Sequence, residues 1–247
     1  MIRTLRLTLA YDGTDLSGWQ SQPDRPTVQG LLMQSCERIL GERVKVVGAS
    51  RTDAGVHALR QVASLAIASP MAPAALGRAL NALLPATIRV LEAREAPPGF
   101  DARRWARGKR YCYLIDRGRP ADPFLRRYAW HAPYVLEAEA MARALRLLRG
   151  THDFSAFCAA AGRGRTPMCT ILSARLVLRK RRLGILLSAD SFLHHMVRNI
   201  AGSLMEVGRG AREPDWLGRV LVARDRSLAG ATAPPEGLSL VRVLYPT

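Results

Sequence analysis

The order of hydrophobic periodicities constrains the fold of this chain more than any other feature, because one order occurs twice. In residues 3–11 the leucines Leu5, Leu7 and Leu9 alternate, the pattern of a strand with one buried face. Thr27 reads as an N-cap, and from Val28 the apolar positions Leu31, Leu32, Ile39 and Leu40 keep helical spacing until Gly41 ends the run. The pattern then predicts strands over residues 44–49 and 61–68, a helix over 73–84 that stops at Pro85, and a strand over 87–96. That order, β-α-β-β-α-β, is the split arrangement of ferredoxin-like folds.

Past the Pro97-Pro98-Gly99 cluster, which marks a linker, the order recurs. Residues 109–116 alternate as a strand, 137–148 form an amphipathic helix, and 171–178 and 183–189 are strands joined by the turn Arg179-Lys180-Arg181-Arg182. A long helix over 191–207 and a strand over 238–244 complete it. The expected fold class is α+β: two ferredoxin-like βαββαβ halves, residues 1–98 and 99–247, whose antiparallel or mixed sheets merge around a central basic cleft. Two insertions depart from the repeat, 118–131 and the Arg- and Gly-rich stretch 159–166. For the second, an RNA-contacting loop and a merely mobile one fit equally.

A chain of 247 residues, 48% of them hydrophobic, can bury a substantial core without staples. Its 37 Lys and Arg against 20 Asp and Glu leave a formal net charge of +17. Solubility needs only about 2–8 charges on a small domain, so the excess points to a polyanion, nucleic acid first. Cys36, Cys112, Cys158 and Cys169 show neither a Cys-x-x-Cys spacing nor a histidine spaced as a zinc partner, so no disulfide framework or metal site is implied. No phosphate-cradling Gly-x-x-x-x-Gly-Lys and no Gly-x-Gly-x-x-Gly after the first strand is present, so no nucleotide cofactor is indicated; nor is there a Gly-x-Ser-x-Gly elbow. No apolar run nears a membrane span of about 18 residues, and the N-terminus alternates where a signal peptide would be continuously apolar. A cytoplasmic protein without membrane partners is expected.

The chemistry concentrates in residues 48–58, Gly-Ala-Ser-Arg-Thr-Asp-Ala-Gly-Val-His-Ala, where one carboxylate, Asp53, stands among small residues with Arg51 two positions before it and His57 four after. Small residues let a substrate approach the backbone closely, and an adjacent guanidinium favours the ionised carboxylate. A plain Asp-Ala-Gly turn with Arg51 as a surface partner would account for the same residues. Residues 103–113 form a basic run into a strand on which Tyr111 and Tyr113 share a face, suited to holding phosphates and stacking on an unpaired base, although one tyrosine at least belongs to a core. On the helix carrying Phe192, Met196, Ile200 and Leu204 as its buried stripe, His194 and His195 point about 100° apart, and Arg198 lies at the stripe's edge. Buried there, Arg198 would require a carboxylate partner, for which Asp53 is a candidate.

These residues resemble the tRNA pseudouridine synthase A family. The resemblance is carried by Tyr11-Asp12-Gly13-Thr14 with Gly18-Trp19-Gln20, by Arg51-Thr52-Asp53-Ala54-Gly55-Val56-His57-Ala58, and then by Phe100-Asp101-Ala102-Arg103, Lys109-Arg110-Tyr111-Cys112-Tyr113, His152-Asp153-Phe154, residues 192–199, 202–208 and Glu236-Gly237-Leu238. It implies the pseudouridine synthase fold and isomerisation of uridine to pseudouridine in the tRNA anticodon arm, at positions 38, 39 and 40, by a homodimer that needs no cofactor. It also implies Asp53 as the catalytic carboxylate, Tyr111 as the tyrosine on the target base, Arg51 and Arg198 as active-site cations, and Leu238 as an apolar wall of the uracil pocket. Leu16 in place of an aromatic, Ser50 in place of a glycine and Cys169 where a basic residue is common depart from the family pattern.

Pseudouridine formation breaks the N1–C1′ bond, turns the uracil and joins C5 to C1′, without redox change. A carboxylate of ordinary pKa near 3.9 is ionised at neutral pH and ready to react. Attack on C1′, addition at C6 and removal of a C2′ proton all remain open to Asp53. The target uridine must be flipped from its stack. Two rivals explain parts of the chain: an RNA-binding module in which Asp53 only shapes a turn, and a metal-dependent nuclease using Asp53, His57, Asp190 and His194 as ligands.

Overall fold

The computed structural model describes residues 2–159 and 166–246. Residues 160–165 of the Arg- and Gly-rich stretch lie outside them. The chain forms two units, Met1–Arg107 with Leu240–Thr247, and Gly108–Ser239. Both mix strands and helices in an α+β arrangement, with antiparallel pairing in each and a parallel pair in the second.

In the first unit β1 (Arg3–Tyr11), α1 (Val28–Leu40), β2 (Val46–Gly48), β3 (His57–Ile67), α2 (Pro73–Leu83) and β4 (Ile88–Glu95) follow one another. β1 lies antiparallel between β3 and β4, with Leu7 opposite Ala63 and Ala93. The alternation read from the sequence is the buried face: Leu5, Leu7 and Leu9 are wholly inaccessible, as are Val28, Leu32 and Cys36 of α1 and Leu76 and Leu80 of α2. α1 begins where its cap dictates, with Thr27 accepting the Gly30 N–H, and it ends at Gly41 with φ 69°. α2 settles close on β4 because Gly77 has no side chain: a Cβ there would stand 3.3 Å from that of Ala93.

β3 starts at His57, four residues before the predicted Gln61. The register with β1 slips between Leu9↔Gln61 and Tyr11↔Ala58, so Leu59 and Arg60 together oppose one residue of β1. Both are exposed in succession. This bulge interrupts the period of two by which a strand is recognised and hides its first turn of sequence.

In the second unit β5 (Gly108–Asp116), β6 (Trp130–His131), α3 (Ala138–Arg146), β7 (Gly150–Asp153), β8 (Met168–Arg179), β9 (Arg182–Ala189), α4 (Met196–Gly208) and α5 (Trp216–Ala223) occur in order. The strands run β5-β9-β8-β7, all antiparallel, with β6 parallel along the other edge of β5. Tyr111, Tyr113 and Ile115 of β5 stand opposite Leu187, Ile185 and Leu183 of β9 on one buried face. β10 (Leu238–Leu244) leaves this unit at Ser239 and continues in the first, where it neighbours β3.

The predicted helix over 191–207 is shorter at its start. α4 begins at Met196 because His195 takes φ 61°, a left-handed conformation that no helix continues through. His194 and His195 therefore do not point apart as helix neighbours; their rings lie together with centroids 4.0 Å apart. β6, β7 and α5 were not expected from the sequence. Among the described residues no helix is long and apolar enough to cross a membrane.

Candidate active site

Asp53 sits half-buried in the turn between β2 and β3, beside an exposed Arg51. The turn is built from behind by backbone. Trp19 N donates to the Thr52 carbonyl at 3.0 Å, Gly55 N to the Leu16 carbonyl at 3.3 Å, and Val56 N closes the turn on the Asp53 carbonyl at 3.2 Å. The closest approaches to the turn are made by glycines, where no side chain stands in the way. A Cβ on Gly18, which holds φ +87°, would lie 2.7 Å from the Thr52 oxygen, and one on Gly13 would overlap the Val56 carbonyl. Gly48 meets the Trp19 ring in the same way. The segment Asp12 to Trp19 is thus a seat moulded to the Asp53 turn.

His57, the other polar group of the motif, is 3% exposed and turned into that seat. Its Nδ1 accepts the Gly13 N–H at 3.0 Å and stands 3.3 Å from Asp12 Oδ1. Asp12 in turn accepts from Thr14 N at 3.0 Å and from Thr14 Oγ1 at 2.6 Å. Asp190 accepts from Thr170 N at 3.0 Å and lies against Ser191. Two of the four ligands required by a metal-dependent nuclease thus serve to hold backbone.

The second unit carries Tyr111, Arg198 and Leu238. Tyr111 is buried on β5 and meets Phe192 edge to face, ring centroids 5.1 Å apart. Tyr113 is the core tyrosine of the pair: it is wholly buried, its hydroxyl donates to the Pro234 carbonyl at 2.8 Å, and burial pushes its pKa up. A Cβ on Gly237 would lie 2.6 Å from the Tyr113 ring, so only glycine lets the chain pass there. Arg198 makes a reciprocal tie with the same segment, Nε donating to the Ala233 carbonyl at 2.8 Å while Ala233 N donates to the Arg198 carbonyl at 3.2 Å. Asn199 accepts from Thr232 at 2.7 Å, and Ser203 accepts from Gly230 N at 2.9 Å. Residues 230–237 are in this way stitched to α4 and β5, which sets Leu238, 6% exposed, at the start of β10.

The family departures fall on backbone or core positions. Leu16 is buried and meets the turn through its carbonyl, and Ser50 has its N–H and carbonyl on the Gln61 amide. Cys169 is buried on β8, its sulfur accepting from Ser191 Oγ at 3.3 Å. Sequence reasoning gave no role to Gln61, Thr52 or the Tyr11 hydroxyl, which the structure brings to the Asp53 turn.

The model of the family described as tRNA pseudouridine synthase matches residues 8–103 and 144–246. Arg51, Asp53, Arg198 and Leu238 fall within the matched stretches, and Tyr111 between them. The chain belongs to the tRNA pseudouridine synthase family, and its class is therefore that of an isomerase. Proteins described as tRNA pseudouridine synthase A resemble it along nine-tenths or more of their length. That of Caldicellulosiruptor bescii is 39% identical over 244 residues, 99% of this chain and 100% of the relative. Those of Moorella thermoacetica and Chloroflexus aurantiacus are 44% and 45% identical, covering 98% and 99% of this chain and 99% and 90% of the relatives. A crystallised archaeal box H/ACA sRNP complex aligns with 82% of this chain and 43% of its own at a TM-score of 0.34 and 13% identity, too remote to bear on function.

Proposed function

We propose that this chain isomerises uridine to pseudouridine at positions 38, 39 and 40 of the tRNA anticodon arm, with Asp53 as the reacting carboxylate. The observation that carries the proposal is the seat built around the Asp53 turn by Gly13, Gly18 and Trp19, inside a stretch matched by the family. A turn of merely structural use does not require so much backbone brought against it. The substrate loses its N1–C1′ bond and the C5 proton and gains a C5–C1′ bond and an N1 proton, so the reaction balances without an oxidant or reductant.

The remaining roles follow the chemistry of the residues. Arg51 and Arg198 supply cations for phosphate and for the ionised carboxylate. Tyr111 stacks on the flipped base and carries the C5 proton, and Leu238 excludes water. The order of strands and helices supports reading each half as a ferredoxin-like unit. The net charge of +17 supports tRNA as the partner. Action as a homodimer in the cytoplasm belongs to the same proposal and rests on the family resemblance.

Tritium release from tRNA carrying [5-³H]uridine tests it, with wild type and Asp53→Asn compared and RNA binding measured in parallel. Release by wild type alone, with binding kept by the variant, is the expected result. Tight binding with no release from either protein would leave an RNA-binding module and overturn the catalytic reading.

A further inference from the structure

β2 ends at Gly48, and the last ladder bond beyond it runs from Ala49 N to the Val62 carbonyl, 2.8 Å. One residue on, at the place where β3 bulges through Leu59 and Arg60, Ser50 still has both backbone groups engaged. Its N–H donates to Gln61 Oε1 at 3.2 Å, and its carbonyl accepts from Gln61 Nε2 at 2.7 Å. The Gln61 side chain does for Ser50 what a neighbouring strand would do. Because one contact needs an acceptor and the other a donor, only one orientation of the amide satisfies both.

The same Nε2 donates to the Tyr11 hydroxyl at 3.3 Å, and that hydroxyl lies 2.8 Å from Thr52 Oγ1. Gln61 is wholly buried, and Tyr11 and Thr52 are nearly so. Burial pushes the Tyr11 pKa up to about 12, the Thr52 and Gln61 hydrogen bonds acting against it, so the phenol keeps its proton at neutral pH. A buried chain of hydrogen bonds therefore reaches the residues on both sides of Arg51 and ends at the residue before Asp53. Satisfied buried networks of this kind rigidify what they hold.

We propose that Gln61, Tyr11 and Thr52 are positioning residues for Asp53: they touch no uridine, and they hold the Asp53 turn in its reacting geometry. The inference rests on the isomerase reading above. Tyr11→Phe removes one oxygen and leaves the ring beside Trp19, and Thr52→Val keeps the volume of the side chain while deleting its hydroxyl. Gln61→Leu would also orphan both backbone groups of Ser50 and threaten folding, so the first two variants carry the test.

The experiment measures kcat and KM for tRNA by tritium release, together with melting temperature, for wild type, Asp53→Asn, Tyr11→Phe, Thr52→Val and the double variant. A small misplacement of a reacting group costs up to about 100-fold, so each single variant is expected to lose roughly 10- to 100-fold in kcat. KM should stay within about twofold, because binding is not what the network controls. The double variant should be no slower than the slower single, since both substitutions cut one link. Wild-type kcat in the singles, a KM that rises as kcat falls, or losses that multiply in the double would each overturn the proposal. If wild type is active and Asp53→Asn is not, full turnover by Tyr11→Phe defeats the positioning role alone. If wild type releases no tritium, the isomerase reading fails and this inference fails with it.

Discussion

Gly18→Ala places a methyl group against the backbone of the Asp53 turn. The added Cβ would lie 2.7 Å from the Thr52 oxygen and 3.1 Å from Ala54 N and Asp53 C, where ordinary contact begins at 3.4 Å. The turn must recede by about 0.7 Å, or Gly18 must leave its left-handed conformation and give up the bond that its carbonyl accepts from Val28 N at 3.1 Å. Left-handed backbone costs alanine roughly 1–2 kcal/mol. In a chain of this size that is a fall in melting temperature of about 2–8 °C. With Asp53 reacting as proposed, displacement of the peptide next to it adds a loss of roughly 10- to 100-fold in kcat. Gly41→Ala is the matched control: Gly41 is also left-handed, at φ +69°, but nothing stands within 4 Å of its added Cβ. Melting curves and tritium release should show a loss of stability in both variants, the larger in Gly18→Ala, and a loss of kcat only for Gly18→Ala. Equal turnover in the two would refute the claim that Gly18 seats a reacting Asp53 turn.

Other perturbations separate the remaining roles. Tyr113→Phe removes the hydroxyl on the Pro234 carbonyl and should cost about 1 kcal/mol in a denaturant titration with kcat nearly kept. Tyr111→Phe should slow tritium release sharply, and full turnover would end its role as proton carrier. The Phe124 N–H, with the Arg181 and Arg182 guanidiniums and against some desolvation, holds the Asp122 carboxyl below its ordinary pKa. A depressed carboxylate stabilises the fold above the unfolded value, about 4, and that contribution is lost as the pH falls through the folded pKa. Melting temperatures from pH 6 down to 2.5 should therefore fall less steeply in Asp122→Asn than in wild type; parallel curves would contradict this. With a net charge of +17, tRNA affinity should weaken steeply and linearly on a log-log plot against KCl concentration, with the same slope in Asp53→Asn. A flat salt dependence in a filter-binding assay would exclude a phosphate-dominated interface.

What could be read from the sequence alone was whatever depends on neighbours in the chain. Thr27 and Gly41 bound α1 because caps act over three or four residues, and β10 occupies the expected 238–244, a run of apolar residues broken only by Ser239 and Arg242. Asp53 stood out by the small residues around it, and Gly13 and Gly18 by the block they belong to. Tertiary structure decided the rest. The bulge at Leu59 and Arg60 broke the period that would have shown β3 from His57. The left-handed His195 cut α4 short although the apolar stripe ran on through Phe192, because periodicity reports which side chains face a core and not the φ of one residue. Gly18 could be matched to a motif, but the carbonyl it faces is Thr52, 34 residues further along the sequence. The bond from Gln61 to Tyr11 spans 50 residues, and a hydrogen bond between side chains so far apart leaves no local pattern to find. The small residues around Asp53 can be read along the chain, but the Tyr11, Thr52 and Gln61 contacts behind its turn exist only in the folded chain.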